Sequence, residues 1–243
     1  MKKQIRKIIV CIMALILLLL LIVLVVYIMM KKTPDGETTP EQNISEQKTL
    51  QTSVLKAPID LGDNLKLTDL SEATGRFLED GSDEYVEKIL SATFVNEGDN
   101  TIQYSLVKVN IGEDTFSFEF STLPAGQSVQ VFEKDKKSLS ERIENISAQA
   151  EYLAYFQEEP SLHEQELEIT IADGQITVKN ISEETINKEI SLFYKNISGD
   201  IYMGGITYRF RIPPGLAPGK LYQGNAKHVS ENMTKVMFVT YGE

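Results

Sequence analysis

Apolar and polar side chains alternate along much of the chain after residue 75, with the two-residue period of half-buried β-strands. Phe116, Phe118 and Phe120 are separated by Ser117 and Glu119, which places the three aromatic rings on one face. Asp-Gly and Pro-Gly pairs between such runs are typical of tight turns. The pattern predicts a mainly β protein with further strands at residues 150–156, 175–179, 188–195, 206–212 and 235–241.

An unbroken run of uncharged, mostly apolar residues occupies positions 8–30. As a helix, 23 residues extend about 34 Å, which is enough to cross a hydrocarbon core of about 30 Å. Lysine and arginine without any acidic residue precede the run, so we expect residues 1–7 in the cytoplasm and the C-terminal part outside the cell. A cleaved signal peptide is the alternative, but it would need a shorter apolar core and small residues near position 30. The sequence predicts a single-pass signal-anchor in the cell membrane.

Two segments separate this predicted transmembrane helix from the first regular strands. Residues 31–53 are polar, contain two prolines and have almost no apolar side chains, so they cannot offset the entropy of ordering. We predict a disordered stalk there. Apolar residues reappear sparsely at positions 54–74, which we interpret as a lead-in segment that packs on the first domain.

An internal repeat organises the remainder of the chain. Residues 75–157 and 165–243 share a strand that ends near an asparagine (Asn96, Asn180) and a leucine before a Pro/Gly turn that ends in Gly126 or Gly219. The offset between copies is 84 residues at the asparagines and 93 at the glycines, and it changes in predicted loops. We predict two tandem immunoglobulin-like β-sandwich domains. Two halves of one merged sandwich remain the alternative.

The second copy resembles a group of clostridial (Firmicutes) membrane-anchored surface proteins with tandem β-rich repeats. The similarity lies in the pattern V-x-N, I-x-x-x-L-F-Y-K-N, Y-x-G-G-I-T-Y, L-x-P-G and V-M-F-V-T-Y within residues 178–241. The segment Leu192-Phe193-Tyr194-Lys195-Asn196 is also loosely similar to the apolar-tyrosine strand of FxLYD and other immunoglobulin-like envelope modules. The resemblance implies the architecture and no activity.

Charge and cysteine content narrow the possible partners. Of 24 lysine and arginine residues, six lie in residues 1–32, which leaves 18 against 35 acidic residues and a net charge of −17 for the rest. Such a charge repels nucleic acid, so we expect no nucleic-acid partner. The single cysteine, Cys11, lies in the apolar run, so the predicted external domains contain no disulfide and must be stabilised by packed cores.

The residues needed for several common chemistries are missing. Cysteine-histidine zinc sites and cysteine nucleophiles are excluded outside the apolar run, and there is no Walker loop, Gly-x-Gly-x-x-Gly motif or Gly-x-Ser-x-Gly elbow. The two histidines, His163 and His228, are interpreted as loop residues. We therefore predict no cofactor, no metal and no enzymatic activity. A carboxylate pair for glycoside hydrolysis remains an alternative, although the chain has no tryptophan to line sugar subsites.

The most unusual strand segment is 202–208, with the sequence Tyr-Met-Gly-Gly-Ile-Thr-Tyr. Paired glycines inside a strand indicate a bulge or the close approach of another backbone. We identify Tyr202, Gly204, Gly205 and Tyr208 as a possible edge for a partner strand, with a simple bulge as the alternative. The sequence favours a non-enzymatic envelope protein that binds a protein or cell-wall partner. The alternatives are an accessory subunit of a secretion, transport or pilus-like assembly and a carboxylate-dependent envelope hydrolase.

Overall fold

The computed structural model describes residues 53–139 and 145–242, together with the backbone of a short strand at 48–49. Every regular element in these residues is a β-strand. The fourteen strands are β1 (Lys48–Thr49), β2 (Ile59–Asp60), β3 (Leu65–Arg76), β4 (Tyr85–Asn96), β5 (Ile102–Ile111), β6 (Asp114–Leu123), β7 (Ser128–Phe132), β8 (Ile146–Tyr155), β9 (Leu167–Ala172), β10 (Gln175–Asn180), β11 (Ile190–Ser198), β12 (Ile201–Ile212), β13 (Leu221–Asn225) and β14 (Thr234–Tyr241).

The strands form three sheets. The largest has eight strands in the order β1-β3-β4-β7-β12-β11-β14, with β2 paired to β3. The two smaller sheets each have three strands, in the orders β6-β5-β8 and β13-β10-β9. Every pairing between these strands is antiparallel except that of β7 with β12, which is parallel.

The same pairing order occurs twice along the chain. In the first β unit (β3–β8), strands β3-β4-β7 face β6-β5-β8; in the second β unit (β9–β14), β9-β10-β13 face β12-β11-β14. Each pair of sheets encloses its own apolar cluster. Phe94, Phe118 and Phe120 are fully or almost fully buried in the first, and Ile190, Leu192 and Ile212 in the second. The arrangement is consistent with layered β-sandwich packing.

The two units share one sheet because β7 of the first pairs with β12 of the second. Ser128, Val129 and Gln130 lie opposite Ile201, Tyr202 and Met203. The paired stretch is three residues long on each strand, yet it makes the eight-stranded sheet continuous from one unit to the other.

The prediction of a mainly β protein is confirmed. Alternation at Phe116, Phe118 and Phe120 predicted β6 correctly, and the other predicted strands correspond to β8, β10, β11, β12 and β14. The segment at 54–74, predicted as a lead-in, contains β2 and most of β3, whose Leu65, Leu67 and Leu70 are buried in the first core. Its apolar residues are sparse because the other side of β3 carries polar side chains.

The predicted anchor at 8–30, the cytoplasmic segment 1–7 and nearly all of the predicted stalk lie outside the described residues. Within the described part of the chain, no helix has the length and apolar character needed to cross a membrane.

Candidate functional site

An exposed aromatic face lies on the outer surface of sheet β6-β5-β8. Val107 and Val109 of β5 point into the core, so Leu106 and Lys108, which alternate with them along the strand, point outward. Leu106 lies opposite Glu119 on β6 and Tyr152 on β8. The face therefore combines apolar surface with charged neighbours.

Two tyrosines form the centre of this aromatic face, which we define by Tyr104, Leu106 and Tyr152. The ring centroids of Tyr104 and Tyr152 are 5.7 Å apart, with planes tilted by 54°. Tyr152 is 56% exposed, so more than half of its surface faces solvent. Tyrosine in such a position offers apolar contact area together with a hydroxyl group, and it is enriched at protein interfaces.

The aromatic face continues into a cleft of about 450 Å³ at the junction of the two β units. Tyr104, Glu119 and Lys134 line one side, and Ile206 and Thr207 of β12 line the other. Lys134 forms an ion pair with Glu119 in which the ammonium group donates to the carboxylate. The ion pair raises the pKa of Lys134, so this wall of the cleft carries both signs of charge. The cleft thus presents apolar, hydrogen-bonding and ionic groups together.

Glu79 lies at the floor of this cleft, in the loop that connects β3 to β4. Its Oε1 accepts a hydrogen bond from the backbone N–H of Phe132 at 2.8 Å. Its Oε2 is buried and has no hydrogen-bond partner among the described protein atoms. Burial raises the pKa of Glu79 to about 7, since the ionised carboxylate is poorly solvated there.

A lysine is fully buried beside this floor. Lys195 on β11 is 0% exposed, and its Nζ donates to the backbone oxygens of Ser121 at 3.0 Å, Gly205 at 3.2 Å and Ile206 at 3.0 Å. Burial lowers the pKa of Lys195 to about 7, while the nearby Glu79 carboxylate opposes that shift. Three acceptors match the three donors of an ammonium group. Because Ser121 belongs to the first unit, this side chain ties the two units together.

The loop at residues 77–84 makes a second polar contact with the second unit. Oδ2 of Asp83 lies 2.9 Å from Nζ of Lys227, and Oδ1 of Asp83 lies 2.9 Å from Nε2 of His228. His228 is 2% exposed, and burial lowers its pKa. His228 lies in the turn between β13 and β14, in keeping with the loop position predicted from its sequence context, and it is buried at the junction.

Of the residues predicted as a partner-strand edge, Tyr202 pairs with Ile197 on β11 and with Val129 on β7. The strand that meets this part of β12 in the structure therefore comes from the same chain. Tyr202 is 1% exposed, which leaves its hydroxyl buried. Tyr208 pairs with Tyr194, and the two rings stack with centroids 5.3 Å apart.

The paired glycines allow a close approach between the units. A Cβ on Gly205 would lie 1.9 Å from the backbone oxygen of Glu119, and a Cβ on Gly204 would lie 2.8 Å from Cβ of Leu78. Gly204 also has a φ of +78°, a conformation that side-chain-bearing residues rarely adopt. Both glycines are thus required by the contact between β12 and the first unit.

Sequence reasoning did not identify Tyr104, Tyr152, Glu79 or Lys195 as site residues. The sequence offered one signal, for Lys195: a lysine directly follows Leu192-Phe193-Tyr194 within a predicted strand. The alternating pattern alone does not decide whether such a side chain is buried or exposed. His163 lies in the inter-unit linker, which we define as residues 156–166 between β8 and β9. Its Nδ1 is 3.7 Å from Oε2 of Glu166, and its ring contacts that of Tyr241. No group of three or more potential metal-ligating side chains occurs in the described residues.

Comparisons with known proteins add no family assignment. No protein-family model matches this chain, and no curated protein matches it at a significant level.

Proposed function

We propose that this chain is a non-enzymatic, membrane-anchored envelope protein whose immunoglobulin-like β units bind a protein or cell-wall partner outside the cell. The observation that carries the proposal is the aromatic face, with the contacting rings of Tyr104 and Tyr152 next to the junction cleft. An exposed aromatic group bordered by Glu119 and Lys134 has the composition of a recognition surface. The apolar run at 8–30 supports membrane attachment in this proposal.

The chemistry of the cleft supports binding more strongly than hydrolysis. Glu79 has the raised pKa expected of a general acid, but its Oε2 is buried beneath the surface and its Oε1 is held by the N–H of Phe132. The other two carboxylates of the cleft are also engaged: Glu119 pairs with Lys134, and Asp80 accepts a hydrogen bond from the N–H of Ser82 and lies 3.8 Å from Lys136. A hydrolase that uses two carboxylates needs both within reach of the substrate. The arrangement instead fits a junction that is held together by polar groups.

A photo-crosslinking amino acid at position 152 tests the proposal in cells that express the full-length protein. The matched control carries the same amino acid at Tyr85, which is 58% exposed on the opposite sheet of the first unit. We expect one dominant protein or wall fragment to be captured from position 152, and to be lost when Tyr104→Ala is added. Equal capture from positions 152 and 85, or capture that is insensitive to Tyr104→Ala, would contradict binding at the aromatic face.

The identity of the captured molecule separates the alternatives within this proposal. A wall fragment indicates glycan or peptide binding. A component of a secretion, transport or pilus-like assembly indicates an accessory subunit. Either outcome places the partner on the aromatic face.

A further inference from the structure

The long strand β8 ends its sheet with one edge unpaired in the described part of the chain. Strand β8 pairs with β5 over residues from Ile146 to Tyr155, and no other described strand pairs with it. Its counterpart in the second unit, β14, differs in this respect. The N–H of Val239 on β14 donates to the backbone oxygen of Ser161 at 2.8 Å, so the inter-unit linker covers that edge.

The composition of β8 does not protect its edge from pairing. Its ten residues, ISAQAEYLAY, contain no lysine, arginine, proline or glycine, and Glu151 is the single charged side chain. Natural edge strands are commonly protected by lysine, proline or a short length. A β-bulge at Glu151 interrupts the pairing with β5, since Leu106 lies opposite Tyr152 and Val107 lies opposite Ala150. The regular stretch before the bulge, residues 146–150, extends about 17 Å.

The two faces of β8 specify the side chains that an added strand would need. Ser147, Gln149 and Glu151 are exposed. Ile146, Ala148, Leu153 and Tyr155 are partly buried hydrophobic residues packed against the first core. A strand added to this edge would therefore place alternate side chains beside an apolar flank and beside a polar row.

Charge determines which occupant fits this edge. Glu151 lies on the polar row, where Lys108 of β5 is 3.8 Å away, and the whole chain carries a net charge of −11. A second copy would bring the same negative charge to the edge. A cationic strand would instead place lysine or arginine beside Glu151 in a favourable cross-strand pair.

We propose that the β8 edge accepts an extended segment of a different protein, in which apolar residues alternate with basic or neutral polar residues. This inference rests on the proposed binding function and specifies its mode, the extension of sheet β6-β5-β8 by strand addition. Tyr152 lies on both β8 and the aromatic face, so one bound segment would contact both.

Hydrogen exchange of the full-length protein in detergent micelles tests this inference. The probe is a capped nine-residue peptide of alternating valine and lysine, and the control peptide has glutamate in place of lysine. The lysine peptide is expected to slow exchange of alternate β8 amides about tenfold or more, because the outward N–H groups gain carbonyl acceptors. Unchanged exchange in β8, or equal protection by both peptides, would overturn the proposal.

A charge-reversal pair separates specific strand addition from general attraction of a cationic peptide to an acidic protein. Glu151→Lys is expected to weaken binding of the lysine peptide about fivefold or more, whereas Glu113→Lys, an equal change at an exposed turn residue, is expected to have little effect. Equal weakening by both variants would show non-specific attraction and overturn the proposal.

Two further results would also overturn the proposed strand addition. Concentration-dependent protection of β8 without any peptide would identify a second copy as the occupant and overturn the proposed one. Capture of a partner from position 152 in cells, without β8 protection by the lysine peptide, would leave the proposed function standing and overturn strand addition.

Discussion

Asn180 in the second β unit makes the same set of hydrogen bonds that Asn96 makes in the first. Each Nδ2 donates to the carbonyl four residues later, at 2.9 Å from Asn96 and 2.8 Å from Asn180. Each also donates to the leucine before the Pro/Gly turn, at 3.0 Å for Leu123 and 2.8 Å for Leu216. Both asparagines are 0% exposed. The 84-residue spacing between these asparagines therefore corresponds to one turn structure used twice.

Replacing either asparagine by alanine is expected to lower the free energy of unfolding by about 2–4 kcal/mol, because one buried and one partly buried carbonyl lose their donor. Urea unfolding of Asn96→Ala and Asn180→Ala measures this loss. The control is Asn110→Ala, because Oδ1 of Asn110 accepts an exposed hydrogen bond from the Thr115 hydroxyl. If all three variants lost the same small amount of stability, the buried asparagine contacts would have no special role.

The close contact between β12 and β6 gives a second prediction. Gly205→Ala is expected to lower the free energy of unfolding by about 3 kcal/mol or more, because its Cβ would overlap the backbone oxygen of Glu119 and force the two strands apart. Thermal and urea unfolding provide the measurement. We expect the cleft to change as well, since Gly205 lines it.

The matched control for this substitution is Gly199→Ala, in the turn between β11 and β12. Gly199 has a φ of +59°, and a Cβ there would meet nothing within 4 Å. Gly199→Ala is therefore expected to lower the free energy of unfolding by only about 1–2 kcal/mol, which is the backbone strain of a side-chain-bearing residue at positive φ. A Gly205→Ala variant no less stable than Gly199→Ala would show that β12 can move away from Glu119 without loss.

Local periodicity predicted most strands but not the way the two units join. The alternation at Phe116, Phe118 and Phe120 reports which side of β6 is buried, a property of neighbouring residues. Pairing of Val129 with Tyr202 joins residues far apart in sequence, and no local pattern specifies which edges meet.

The sequence did not predict the polar contacts at the junction either, because they also join residues that are far apart along the chain. The paired glycines Gly204 and Gly205 indicated the close approach of another backbone. The backbone that approaches Gly205 is that of Glu119, which is far away in the sequence. Lys195 lies between Tyr194 and Asn196 on β11, and the carbonyls that accept from its buried ammonium group are supplied by other strands. Such contacts become visible only when the tertiary structure is known.

The buried lysine provides a third prediction. Lys195→Met is expected to lower the free energy of unfolding by about 3–5 kcal/mol, because three carbonyls lose a donor and Glu79 loses the neighbouring positive charge. Urea unfolding at neutral pH measures the effect. The double variant Glu79→Gln/Lys195→Met should lose less than the sum of the single losses, since the two groups interact. Strict additivity would contradict electrostatic coupling between Glu79 and Lys195.

The raised pKa of Glu79 gives a final prediction on pH dependence. The folded-state pKa of about 7 lies above the ordinary value of 4.5, so the folded protein binds this proton more tightly than the unfolded chain. The stabilisation from Glu79 is therefore complete below about pH 4.5 and is lost as the pH rises through about 7. It amounts to at most about 3 kcal/mol, from 1.36 kcal/mol for each pKa unit.

The Glu79→Gln variant lacks this titration, so the free energy of unfolding of the wild type should fall relative to the variant as the pH rises from about 5 to about 8. Urea unfolding across this range measures the difference. His228 acts in the opposite direction, because its pKa is lowered by burial and its stabilisation is lost at acidic pH, but it is present in both proteins and largely cancels. Glu84→Gln, at a carboxylate with a 60% exposed side chain, is the control and should parallel the wild type. Parallel curves for Glu79→Gln and the wild type would mean that the Glu79 carboxylate is solvated at the junction, so its buried oxygen would not be a feature of the protein in solution.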